Sequence, residues 1–179
     1  MNIEERYQSI VTRLNRNERV LDKLSADEIN WLTQELTLKQ NQNAELKKIL
    51  CIIENTSTLS ATFEPYLINL FKKPNLDKEI LIYVLNAARK HSIAYRVKVG
   101  ERVSADFLLA LKDLLHHPDA EVMEWILRVI DECGPQGVFF YKEINNIKPR
   151  FFWIFDRHRR NIVQLIDMFH KKWAKNEQR

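Results

Sequence analysis

Glycine and proline are scarce: 3 and 5 residues in a chain of 179. So few argue against disorder, a turn-rich sandwich and a glycine-looped nucleotide fold. Gly100, Gly134 and Gly137 cannot build a phosphate loop. Two cysteines make neither a disulfide framework nor a four-ligand zinc site. No run of 18 apolar residues occurs, so no transmembrane helix is expected. The opening MNIEERYQ carries acids and no apolar h-region, so no secretory signal peptide is expected. These absences lead to the expectation of a soluble, cytoplasmic, mostly helical protein.

What is present is helical periodicity. Apolar residues at Ile3, Tyr7, Ile10, Val11, Leu14, Val20, Leu21 and Leu24 predict an N-terminal helix over 3–24, with a gap near Asn15 to Asn17. Ser25 and Glu28 form a capping box for a helix carrying Ile29, Leu32 and Leu36. Leu46, Ile49, Leu50, Ile52 and Ile53 mark the helix that follows. Ser60 then caps a helix with Pro65 in its first turn, where a missing N–H costs little. Ser104 caps another, and Cys133, Gly134 and Pro135 end its partner.

The helices recur in pairs. Pro74 and Pro118 stand 44 residues apart, each three residues after the Phe71 or Leu115 that closes a first helix. Leu46, Ile80 and Val122 hold one place in the second helices, at spacings of 34 and 42 residues. Leu50, Val84 and Ile126 follow four residues on, and Ile53, Ala87 and Val129 seven. Such periods belong to helical solenoids, in which each hairpin buries its apolar face on the next.

The segment from Asp106 to Gly134 contains FLLALKDLLHHPDAEVMEWILRVIDECG and resembles a HEAT repeat. It has the LxxLLxxPD turn, a valine just inside the second helix, and a thiol before a closing glycine. Residues 63–91 are similar, keeping Pro74 and Asn75; residues 29–55 are more distant. Met123 stands where the family carries arginine. The resemblance implies an all-α chain: a short right-handed α-α superhelix of HEAT/armadillo type. About three hairpins in 25–134 would lie between an N-terminal helix in 1–24 and capping helices in 138–179, as a single domain over 1–179. It also implies a scaffold or binding surface. Some HEAT-like proteins are DNA glycosylases, but neither Trp125 with Asp131 nor Trp153 with Asp156 matches their pattern, and no catalytic residue is assigned.

Charge is uneven. From Lys148 to Arg179 nine basic residues stand against three acidic; the rest of the chain has 19 against 21. The run RFFWIFDRHRR, 150–160, is the main functional candidate. Trp153 with Arg150, Arg157, Arg159 and Arg160 suits a protein hot spot. The same residues suit stacking on bases and holding phosphates. A third reading places the aromatics of 151–155 in a terminal core. In the linker 92–103, Arg96, Lys98 and Arg102 form a second candidate contact; either a small hairpin or a helix to about Tyr95 followed by a loop accounts for it.

His116 and His117 read as a solvent-facing turn, and Cys51 and Cys133 as buried structural thiols. No metal, cofactor or enzymatic activity is expected. The leading expectation is a non-catalytic scaffold for a protein partner, with a nucleic-acid-binding helical protein as the alternative. Homo-oligomerisation stays open, and membrane-surface contact through the last helix is not expected.

Overall fold

Several helices begin where a side chain accepts from their first amides. The computed structural model describes residues 2–20, 22–147 and 156–174 and is all-α, with no strand among them. Contacts group the chain into two compact units, 1–102 and 103–179.

The first unit opens with α1 (Ile3–Asn15), capped by the Asn2 side chain. The expected helix over 3–24 stops here. Asn17 adopts φ 57°, a left-handed conformation that asparagine tolerates, and ends the ladder. Arg13 then holds the returning chain, donating to the Arg19 carbonyl at 2.8 Å and to Asp22 Oδ1 at 2.9 Å. Residues 18–20 and 22–24 are not helical. Instead, the carbonyl of Asp22 accepts from the Ser57 amide and the Thr56 hydroxyl, and the Leu24 amide donates to Thr58 Oγ1.

Helix α2 (Ala26–Leu38) starts on the expected box: Ser25 Oγ accepts from the Glu28 amide while Glu28 Oε2 accepts from the Ser25 amide. The bond from the Ser25 backbone holds the Glu28 carboxyl below its ordinary range. Helix α3 (Asn43–Asn55) is the apolar centre, packed against α1 on one side and α5 (Lys78–Ala88) on the other. Helix α4 (Glu64–Phe71) follows a 3-10 turn at Ala61–Phe63 and packs against α5 and α2. Pro65 lies in the first turn of α4, as the sequence reading requires.

From α5 the helix does not stop. It widens into a π-helical segment, Arg89–Ala94, and continues as α6 (Tyr95–Val99). The linker reading of a helix to about Tyr95 is thus extended by one turn, and the hairpin is excluded. Gly100, at φ 75°, supplies the left-handed residue that ends it.

The second unit contains α7 (Ala105–Asp113), α8 (Ala120–Glu132), α9 (Tyr141–Asn145) and α10 (Arg157–Ala174). Ser104 caps α7 as expected. Asp119 caps α8 through the Glu121 and Val122 amides, as Asp77 caps α5 through Glu79 and Ile80. The region 138–179, expected to carry capping helices, is entered through a 3-10 segment, Gly134–Phe140, that leads into α9. Gly137 brings this segment onto α8: a Cβ there would lie 3.2 Å from the Ile130 carbonyl oxygen. Gln136 ties it to the start of the unit, accepting from the Val103 amide and donating to its carbonyl. Helix α10 lays Ile162, Ile166, Phe169 and Trp173 inward, and it packs on α8.

All nine repeat positions (Leu46, Ile80, Val122 and their equivalents four and seven residues on) are 2% exposed or less. At about 25 cal/mol per Å² of apolar surface, such side chains each contribute on the order of 2 kcal/mol.

Candidate functional site

The residues singled out in the sequence separate on the structure. Arg150 and Trp153 lie outside the described residues, as do the aromatics 151, 152 and 155. Arg96 belongs to the scaffold. Its guanidinium grips buried Glu64 through two bonds, Nε to Oε2 at 3.1 Å and Nη2 to Oε1 at 3.0 Å, while Nη1 reaches Glu101 at 3.0 Å. That bidentate geometry leaves little of Arg96 for a partner. Lys98 and Arg102 are exposed in the same unit.

Arg157 and Arg160 are exposed on the first turns of α10, while Arg159 pairs through Nε with Asp156 Oδ2 at 3.3 Å. A network anchors this end of α10. Glu124 of α8 is 6% exposed and accepts from Arg128 (2.6 and 2.9 Å), from Asn161 (3.0 Å) and, through Oε2, from His158 Nδ1 (2.8 Å). Burial works against ionisation of Glu124, but the bonds from Arg128, His158 and Asn161 outweigh it and hold the carboxyl below its ordinary range. The arginine edge is therefore presented from a fixed helix.

The same unit carries a surface the sequence reading did not single out. Leu109 and Val138 are each 51% exposed, Phe139 and Tyr141 each 42%. Lys112 of α7 crosses the Phe139 ring at 5.3 Å and pairs with Glu143 at 2.7 Å; Leu109 stands one turn back on the same helix face. Phe139 meets Phe140 edge-on at 5.1 Å, and Tyr141 meets Trp173 at 5.8 Å. The result is an aromatic and aliphatic patch whose floor is rigid and whose rim is charged.

Between α8 and α10 a cavity of about 370 Å³ opens. His116 and His117, read as a solvent-facing turn, belong to its lining together with Arg159. His116 is exposed; His117 is half-buried and accepts from the Asp119 amide through Nδ1 at 3.2 Å.

In the first unit, His91 is fully buried inside the π segment, a role no sequence signal marked. Nδ1 accepts from the Ser60 amide at 3.2 Å, and Nε2 donates to the Ile53 carbonyl at 2.9 Å. Phe63 packs edge-on against the ring at 4.8 Å. Burial pushes its pKa down to about 4, so the ring is the neutral Nε2–H tautomer. Nearby on α3, burial raises Glu54 to about 7. Cys51 and Cys133 are buried, and burial raises their thiols to about 11 and about 12, as structural cysteines require.

Among the described residues no group of three or more His, Cys, Asp or Glu is placed to hold a metal, and no helix is long and apolar enough to cross a membrane. No family model, curated protein or solved structure matches the chain.

Proposed function

We propose that this chain is a non-catalytic scaffold of the HEAT/armadillo kind, a short right-handed α-α superhelix that binds a partner protein through its helical surface. Supporting the repeat reading, α3 lies against both α1 and α5 and α8 against α10, with second-helix cores buried at matched positions. The Asp-capped starts of α5 and α8 repeat the same local chemistry 42 residues apart.

One observation carries the binding proposal: the exposed residues Leu109, Val138, Phe139 and Tyr141, with the Lys112–Glu143 pair beside Phe139. Aromatic side chains with a rigid floor and a charged rim are the anchors of protein interfaces. The state of the cations favours protein over nucleic acid, because Arg96 and Lys172 already hold carboxylates. Affinity purification of the full chain, with and without nuclease, tests this. A partner retained after nuclease and lost in Leu109→Asp/Phe139→Ser is the expected result. A partner released by nuclease, or one held equally by the variant, would overturn the reading.

A further inference from the structure

The cavity between α8 and α10 has its own chemistry, distinct from the exposed patch. At about 370 Å³ it falls within the range of small-molecule sites. Much of its wall is apolar: Leu115, Met123, Ile147, Ile162 and Val163.

Its polar groups differ in how far they are already bonded. The two carboxylates on the wall are already satisfied. Asp119 Oδ1 accepts from the Glu121 and Val122 amides, and Glu143 Oε1 is paired with Lys112 at 2.7 Å. The donors are not. His117 accepts through Nδ1, which fixes the proton of its neutral ring on Nε2 as a free donor. Arg159 spends Nε on Asp156, and its two Nη groups have no partner among the described residues. A cavity with an oily wall, engaged carboxylates, two unspent guanidinium Nη groups and a neutral imidazole N–H can accept a carboxylate on an apolar body.

We propose that this cavity is a binding site for a small amphipathic carboxylate. Its carboxylate would be held by the Arg159 Nη groups and the His117 Nε2–H, and its hydrocarbon body by Met123, Ile147 and Val163. The cavity shares Glu143 with the rim of the patch, but neither Leu109 nor Phe139 lines it, so the Leu109→Asp/Phe139→Ser test can fail without this one.

The chain has three methionines, so methyl-labelled methionine gives a direct readout, with Met123 on the cavity wall and exposed Met168 as an internal control. Full-length protein is titrated with sodium decanoate, decanol and sodium acetate. Decanoate should shift the Met123 methyl saturably and leave Met168 in place. Decanol should bind about tenfold more weakly, having lost the charge-assisted bonds, and acetate should give no shift for want of an apolar body. Arg159→Gln should weaken decanoate about tenfold, a change in one charge-assisted contact. Val163→Phe should abolish the Met123 response, with an unchanged circular dichroism spectrum and Met168 signal showing that the fold is kept. Equal binding of decanoate and decanol would overturn the proposal. So would unchanged affinity in Arg159→Gln, or no saturable Met123 shift up to about 10 mM, the limit of millimolar affinity.

Discussion

His91 in the first unit and Glu124 in the second are buried polar groups satisfied in opposite ways. In the first, His91 spends both ring nitrogens on backbone, joining the end of α3 to Ser60 without any formal charge. In the second, Glu124 gathers charged and polar side chains from α8 and α10, with Arg128 and His158 still 47% and 39% exposed. A neutral bond to backbone inside a core makes a rigid joint whose loss strands two groups. A charged cluster at a surface positions a helix while leaving its neighbours reachable. The second unit accordingly carries the cavity and the aromatic patch.

Breaking the neutral joint should have the largest effect. His91→Leu removes the partner of the Ser60 amide and of the Ile53 carbonyl, both buried by the ring. Urea unfolding should show a loss of about 3–5 kcal/mol, since each stranded group costs about 1–3 kcal/mol. A loss below about 1 kcal/mol would mean that water or relaxation replaces the ring.

Next comes a pH effect hidden by compensation. His91 falls to about 4 in the folded protein from an ordinary 6.5, so the unfolded chain binds more protons between those values. Its contribution is fully present above pH 6.5 and is lost as pH falls towards 4, by at most about 3 kcal/mol. Glu54 works in the reverse sense. Its folded pKa of about 7 exceeds the ordinary 4.5, so the folded chain binds more protons and stability falls as pH rises from 4.5 to 7. Glu54 is only partly buried, which makes its share the smaller. Wild-type stability should therefore vary weakly over pH 4.5–6.5. Glu54→Gln should expose the His91 slope as a steeper loss on acidification. Identical slopes in the two proteins would break the assignment.

These two residues also show where sequence reading reaches and where it stops. The capping box at Ser25, the cap at Ser104, Pro65 in a first turn, and the buried second-helix positions were legible because each depends on residues within a turn or two. The Ser60–His91 bond spans 31 residues and Glu124–His158 spans 34, and no local pattern announces either. The π segment was equally silent, since a helix that widens keeps the composition of one that does not. At the candidate site, Arg157 and Arg160 are exposed on α10, whereas Arg96, counted as available, is held by Glu64. The exposure of Leu109 and Phe139 was not legible, because it depends on what packs above them.

The charged cluster should be weaker than the neutral joint. Glu124→Ala should cost about 1–3 kcal/mol, less than a fully enclosed pair, because Arg128 and His158 can turn to water. Hydrogen exchange should speed up in the first turns of α10 and leave α3 and α5 unchanged. Acceleration throughout the chain would show that the cluster supports more than one helix. The smallest stability effect belongs to Leu109→Asp/Phe139→Ser, which should shift unfolding by less than about 1 kcal/mol, as surface changes do.

That last variant separates folding from binding, and salt separates the two kinds of partner. The purified partner should be titrated against the full chain from about 50 to 300 mM NaCl. An interface anchored by Leu109 and Phe139 predicts a Kd that changes by less than about threefold, because buried apolar contacts are not screened. A linear fall in log affinity with log salt, several decades deep, would contradict it and assign the contact to phosphates instead.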